Sequence, residues 1–193
     1  MNAFDGWLPG IVHRHCPHFN ERPEGTLVSL AVLHYISLPA GCFEGEDVDA
    51  LFMGRLDAQH RAEYESLRGL RVSSHFFVRR TGEIRQYVSV YDRAWHAGIS
   101  SFEGRSGCND FSVGIELEGT GETVFEEAQY RSLADLLAKL TGLLPIEAVT
   151  GHEHVAPGRK QDPGPCFDWE RVGRMVPSRV RIVTEAQRMP ERA

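Results

Sequence analysis

The longest apolar run in the chain, LVSLAVLHYI at Leu27–Ile36, is nearly unbroken and rich in branched residues. It predicts a strand buried on both faces, with His34 near its carboxyl end. Pro39, Gly41 and Gly45 mark Leu38–Asp47 as a loop. Asp49–Leu67 has helical character broken around Gly54, and Ala58–Leu67 is its better half. His75–Arg79 and Glu83–Val88 flank Arg80-Thr81-Gly82, the pattern of a hairpin with glycine at the turn. SVGIEL at Ser112–Leu117 predicts another strand. Thr123 and Glu126 have the spacing of a capping box, and beyond them Leu133, Leu136, Leu137 and Leu140 recur at helical spacing. Ala148–Thr150 reads as a short strand leading into Gly151-His152, Phe167–Met175 as a last helix, and Ser178–Ala193 as a polar, frayed tail.

Strands and helices therefore alternate, with one hairpin. That is an α/β architecture: one domain over residues 1–177, a mixed central sheet flanked by helices, and a tail over 178–193. Ligand sites in such sheets gather at the carboxyl ends of the strands. His34, Glu116 and His152 all fall at or near such ends.

Charge and composition narrow the function. A net charge of −6 over 193 residues provides no basic field for a nucleic acid. The opening MNAFDGWLPGIVHRH lacks the basic start and apolar core of a secretory leader. No apolar run approaches the roughly 20 residues of a spanning helix. Cys16, Cys42, Cys108 and Cys166 are widely spaced, which suits free thiols in a reducing cytosol and not a disulfide framework.

The stretch GHEHVAPGRKQDPGPCFDW at Gly151–Trp169 is too rich in proline and glycine for a helix or a strand. A polar loop of this length inside a compact domain is functional or disordered, depending on whether its side chains have partners. A hydrolytic zinc site takes three protein ligands and leaves a position for water. His152 and Asp162 offer two candidates, and the intervening Pro157-Gly158 can fold the loop back on one ion. If the end of the loop is extended, Lys160 points the same way as Asp162. His34 reads either as a hydrogen-bonded core histidine or as the third ligand. Glu116, a carboxylate in an apolar strand, is either paired with an arginine or a general base. The cluster at His13, His15, Cys16 and His18 has no downstream partner and reads as a surface turn or pocket entrance; His75 and His96 read as orienting or core histidines.

Five segments carry a family resemblance: VLHYISLP at Val32–Pro39, HFFVRRTGEIRQYV at His75–Val88, RAWHAGIS at Arg93–Ser100, CNDFSVGIELEG at Cys108–Gly119, and the Gly151–Trp169 loop. From about Gly6 to Trp169 the chain resembles the AmpD amidases, cytosolic zinc enzymes of the type 2 N-acetylmuramoyl-L-alanine amidase family, whose fold is shared with peptidoglycan recognition proteins. The resemblance implies one zinc ion held by His34, His152 and Asp162, with Glu116 and Lys160 as the catalytic carboxylate and lysine. It implies hydrolysis of the amide between the lactyl group and L-alanine in a small 1,6-anhydro-N-acetylmuramyl peptide, during cytoplasmic recycling of wall fragments. The implied partners are that muropeptide alone, with no nucleic acid and no membrane, and the enzyme is expected to be a monomer. Arg71, Trp95 and Asn109 fall in or near matching segments and are expected substrate contacts. Gly107 stands where close relatives commonly carry arginine, so either recognition of the peptide's free carboxylates is weakened or Arg105 takes that role as a substrate contact. His154 stands where relatives often carry aspartate. The alternatives are a lytic amidase of intact peptidoglycan and a binding module without catalysis.

Overall fold

The computed structural model describes residues 4–59 and 61–189. In chain order its strands are β1 (Val12–His13), β2 (Phe19–Glu21), β3 (Leu30–Ile36), β4 (Phe76–Val78), β5 (Ile84–Gln86), β6 (Asp92–Ala94), β7 (Ser101–Phe102), β8 (Arg105–Ser106), β9 (Ser112–Glu118), β10 (Ala148–Gly151) and β11 (Arg181–Val183). The α-helices are α1 (Asp47–Phe52), α2 (Glu127–Leu143), α3 (His152–Val155) and α4 (Trp169–Met175). Seven strands form one sheet in the order β1-β5-β4-β9-β3-β10-β11, parallel except for the β4–β5 hairpin. The mixed, helix-flanked sheet is the α/β architecture expected.

Side chains along a strand alternate between faces, and this divides the central strands by function. Ala31 and Leu33 of β3 and Val113, Ile115 and Leu117 of β9 join the core that the α2 stripe Leu133, Leu136, Leu137 and Leu140 covers. The other face carries Leu30 and Val32, closed over by Ala97, Cys108 and Phe111 from the loops between β6 and β9. His34 and Glu116 share that second face.

Several boundaries differ from expectation. β3 starts at Leu30, and Leu27 is exposed, because that residue precedes the first ladder bonds to β9. In Asp49–Leu67 the α-helical part is the first half, α1. It stops at Gly54, whose φ of +67° a side chain would strain. Ala62–Leu67, in the half expected to be better, forms only a 3-10 helix, and His60 lies outside the described residues. The α2 cap lies at Glu126, not Thr123: the Glu126 N–H donates to Gln129 Oε1 at 2.9 Å. The supposed tail is not frayed at Arg181–Val183, which adds the parallel edge strand β11 to β10; residues 190–193 lie outside the described residues. All four cysteines are free.

A buried ionic cluster fastens α1 to the sheet. Arg85 of β5 pairs with Glu46, Glu83 and Asp49, and Asp49 is only 1% exposed. Removing one member of a buried pair leaves the other charge uncompensated. Arg85→Met is expected to destabilise the fold by about 3–5 kcal/mol, seen as a lower urea midpoint, and adding Asp49→Leu should recover most of it.

His75, just before β4, is fully buried. Its Nδ1 accepts the Gly114 N–H at 3.0 Å, so the ring proton is on Nε2 and is donated to the Asp92 carbonyl, also at 3.0 Å. Burial, with the Arg22 charge in support, pushes the His75 imidazole down to about 3. The unfolded ring takes up a proton near its ordinary pKa of about 6.5. Stability from this group is therefore complete above that pH and is lost as pH falls towards 3. Urea midpoints from pH 7.5 to 4 should fall accordingly. His75→Gln should flatten the dependence by up to about 1.4 kcal/mol per pH unit, one proton's worth.

Candidate active site

Register assembles the site. His34 of β3 lies directly opposite Glu116 of β9, and Leu33 lies opposite Gly151 at the end of β10, so His152 stands one residue on, level with His34. Three polar side chains thus form a row at the carboxyl ends of the central strands, where ligands of open α/β sheets bind. Gly151 permits the exit: a Cβ there would lie 2.8 Å from Pro163 and 3.1 Å from Trp169.

The segment after β10 is not all loop. His152–Val155 forms the single helical turn α3, because His154 Nδ1 accepts the Gly151 N–H at 3.1 Å and its ring packs on Trp169 at 5.5 Å. That contact explains His154, which closes the turn and is not a member of the ligand cluster. The chain then doubles back, and Glu153 N–H donates to the Asp162 carbonyl at 2.8 Å. Asp162 is returned to within reach of His152.

His34 Nδ1, His152 Nδ1 and Asp162 Oδ2 converge. The His34–His152 and His34–Asp162 distances are 2.9 Å, and His152–Asp162 is 3.0 Å. These residues form the one potential metal-holding group of His, Cys, Asp and Glu among the described residues. The His152 ring is oriented from behind: Nε2 is 3.0 Å from the Ala97 carbonyl, which can only accept, so Nε2 carries a proton and Nδ1 is the atom turned to the cluster. Burial, reinforced by His152, pushes the His34 imidazole down to about 4, so that ring is neutral near pH 7. Two imidazole nitrogens and a carboxylate oxygen within 3.0 Å of one another form a donor set that fits a zinc ion.

Glu116 is 7% exposed and forms no ion pair among the described residues, and its Oε2 has no hydrogen-bond partner. The arginine-pair reading of this residue is thereby removed. Burial pushes its carboxyl well above the usual carboxylate range; Asp162 adds to the shift and Lys160 opposes it. Lys160 and Asp162 face the same cavity of about 490 Å³, with His34, Glu116 and His152. Apolar side chains line it as well: Leu51 and Phe52 from α1, with Leu67, Leu70 and Val72.

Of the expected substrate contacts, only Trp95 lines this cavity. Its indole N–H is held by Asn20 Oδ1 at 2.6 Å, and its face is parallel to His18 at 6.3 Å. Arg71 is exposed beside the lining residues Leu70 and Val72 but does not itself line the cavity. Arg105 is turned away onto the Phe111 ring at 3.8 Å and does not line it. Asn109 serves backbone instead, its Oδ1 accepting from His96 N–H at 3.1 Å and Ala97 N–H at 2.8 Å. Arg159, unnoticed in the sequence, does line the cavity, and its guanidinium donates to the Ile99 carbonyl at 2.7 Å. A legible signal also lies in β9: Ser112, Gly114 and Glu116 alternate with Val113, Ile115 and Leu117, a strand with one apolar face and one reserved face. The His13–His18 cluster holds no metal group; His13 and His15 pack on Trp7 at 5.1 and 4.5 Å.

Comparison with known proteins agrees with this arrangement. Residues 24–165 match the N-acetylmuramoyl-L-alanine amidase family model. The chain is 49% identical over 173 residues to the 1,6-anhydro-N-acetylmuramyl-L-alanine amidase AmpD of Escherichia coli K12, covering 89% of this chain and 94% of the relative. It superposes on the crystal structure of a selenomethionine derivative of AmpD with a TM-score of 0.88 at 47% identity, covering 92% of this chain and all of that one. A more distant neighbour is the amidase AmiD from E. coli, solved in complex with the substrate anhydro-N-acetylmuramic acid-L-Ala-D-γ-Glu-L-Lys; the TM-score is 0.58 at 27% identity, covering 82% of this chain and 65% of that one. With the family match spanning most of its length and the ligand cluster in place, the chain belongs to the N-acetylmuramoyl-L-alanine amidase family.

Proposed function

We propose that this chain is a zinc amidase that hydrolyses the amide between the lactyl group and L-alanine of soluble 1,6-anhydro-N-acetylmuramyl peptides. It acts as a monomer in the cytoplasm, in the recycling of wall fragments. The observation that carries this reading is the convergence of His34, His152 and Asp162 beside Glu116 and Lys160 in one half-apolar cavity. The names of the relatives support the anhydro-muramyl substrate. No helix among the described residues is long and apolar enough to cross a membrane.

His34, His152 and Asp162 would hold the zinc ion, which when bound supplies Lewis acidity towards the amide carbonyl and makes a water acidic at neutral pH. Glu116 takes the proton of the attacking water and returns it to the leaving amine of L-alanine. A buried carboxyl whose pKa is raised towards the working pH suits both transfers. The Lys160 ammonium, which lines the same cavity as Asp162, stabilises the negative charge that develops on the carbonyl oxygen. The apolar wall from α1 and Leu67–Val72 excludes water, and Trp95 presents an aromatic face to the sugar.

Purified enzyme should release peptide from anhydro-muropeptide and leave intact sacculi largely uncut. Preference for sacculi would establish a lytic amidase instead, and binding without cleavage a recognition module. Glu116→Gln and Lys160→Ala should each keep about one zinc per chain while turnover falls roughly 10²–10⁴-fold. Unchanged turnover removes the altered residue from the mechanism. The assignment of the second histidine is checked by metal analysis: His152→Ala should lose zinc, whereas His154→Ala should retain it and lose only about 0.5–2 kcal/mol of stability, the range for a helix cap.

A further inference from the structure

The orientation of His34 depends on a residue outside the ligand set. Its Nε2 lies 3.0 Å from His96 Nδ1, and His96 Nε2 lies 3.1 Å from Ser112 Oγ. Ser112 Oγ is in turn 2.6 Å from the Cys108 carbonyl. The direction of every bond in this chain follows from its last member. A carbonyl oxygen can only accept, so the single hydroxyl proton of Ser112 goes to Cys108. The Ser112 oxygen must then accept from His96 Nε2–H. The two ring nitrogens of His96 face only His34 and Ser112, with no carboxylate paired to the ring among the described residues, so a second proton would be an uncompensated charge; the ring carries one proton, and its Nδ1 is an acceptor. The proton between the two histidines therefore belongs to His34 Nε2. The remaining lone pair of His34 is on Nδ1, the atom 2.9 Å from both His152 Nδ1 and Asp162 Oδ2.

The surroundings are built for this arrangement. The backbone N–H groups of His96 and Ala97 are both held by Asn109 Oδ1. Gly114, between Ser112 and Glu116 on β9, leaves room for the ring: a Cβ there would lie 2.5 Å from His96 Cγ. His96 also borders the cavity, yet both its ring nitrogens are engaged in this chain, so it has none to offer a substrate. We propose that His96, locked by Ser112 and the Cys108 carbonyl, is a positioning residue that commits His34 to the Nε2–H tautomer and so points its Nδ1 lone pair at the metal. A ligand whose tautomer is set in advance binds without the cost of switching it, and loss of such partners typically weakens metal binding roughly 10–100-fold. The inference rests on the reading of His34 as a ligand and is independent of the substrate.

The test combines zinc affinity by chelator competition with the ring tautomers of the metal-free protein, read from long-range ¹H–¹⁵N spectra. In metal-free wild type, His34 and His96 should both be protonated at Nε2 and bare at Nδ1. His96→Phe, which keeps the ring shape and removes the acceptor, should weaken zinc binding roughly 10–100-fold. His96→Asn, which keeps an acceptor near the Nδ1 position, should recover part of the loss. Ser112→Ala, which leaves both rings intact and removes only the lock, should give a smaller loss and a mixed His34 tautomer. A His34 proton found on Nδ1 in metal-free wild type overturns the proposal whether or not zinc binds. Zinc affinity of His96→Phe within about twofold of wild type also overturns it, as does His96→Asn binding as weakly as His96→Phe. Wild type with the stated tautomers but no affinity for zinc instead refutes the ligand reading.

Discussion

His34 Nδ1, His152 Nδ1 and Asp162 Oδ2 lie within 3.0 Å of one another, three groups of a kind that share a metal ion, and much of this fold exists to hold them there. His34 comes from β3, His152 from the turn after β10, and Asp162 from the returning loop. The scaffold imposes the convergence through ladder register, through the Glu153–Asp162 backbone bond, and through carbonyls and rings placed behind each imidazole.

The two faces of the central sheet divide the work. The face under α2 is a continuous apolar core that supplies rigidity. On the other face, the β9 positions Ser112, Gly114 and Glu116 are not apolar, and each has a task. Ser112 orients His96, Gly114 makes space for its ring, and Glu116 is held as a buried carboxyl without an ion-pair partner. A strand that gave these positions to valine or leucine would pack better and leave no room for chemistry. The ionic cluster of Arg85, Glu46 and Asp49 supplies a second kind of support, tying α1, and with it the apolar wall of the cavity, to β5.

Much of the scaffold was legible in the chain because burial writes itself as periodicity. The run through Leu30–Ile36, the hairpin around Gly82 and the leucine stripe of α2 each announce their element. Short elements were not legible. β1, β7, β8 and β11 have two or three residues each, too few for any period, and β11 is set by an open edge on β10, not by its own sequence. Ala58–Leu67 failed as an α-helix for a related reason: Tyr64 is the only buried residue of its 3-10 segment, which leaves no apolar stripe to stabilise one.

The same division holds for the site. Sequence by itself determined the ligand types, the family motifs that contain them, and the anomaly of a carboxylate in an apolar strand. It also placed His34, Glu116 and His152 at strand ends. The tertiary structure alone decided what each side chain touches. It turned His154 to a helix cap, moved Asn109 from the substrate to the backbone, laid Arg105 on Phe111 and brought Arg159 and the α1 wall to the cavity. Spacing along a chain records which residues are present. The direction of a lone pair depends on contacts between residues as far apart as His34 and His96, and only folding brings those together.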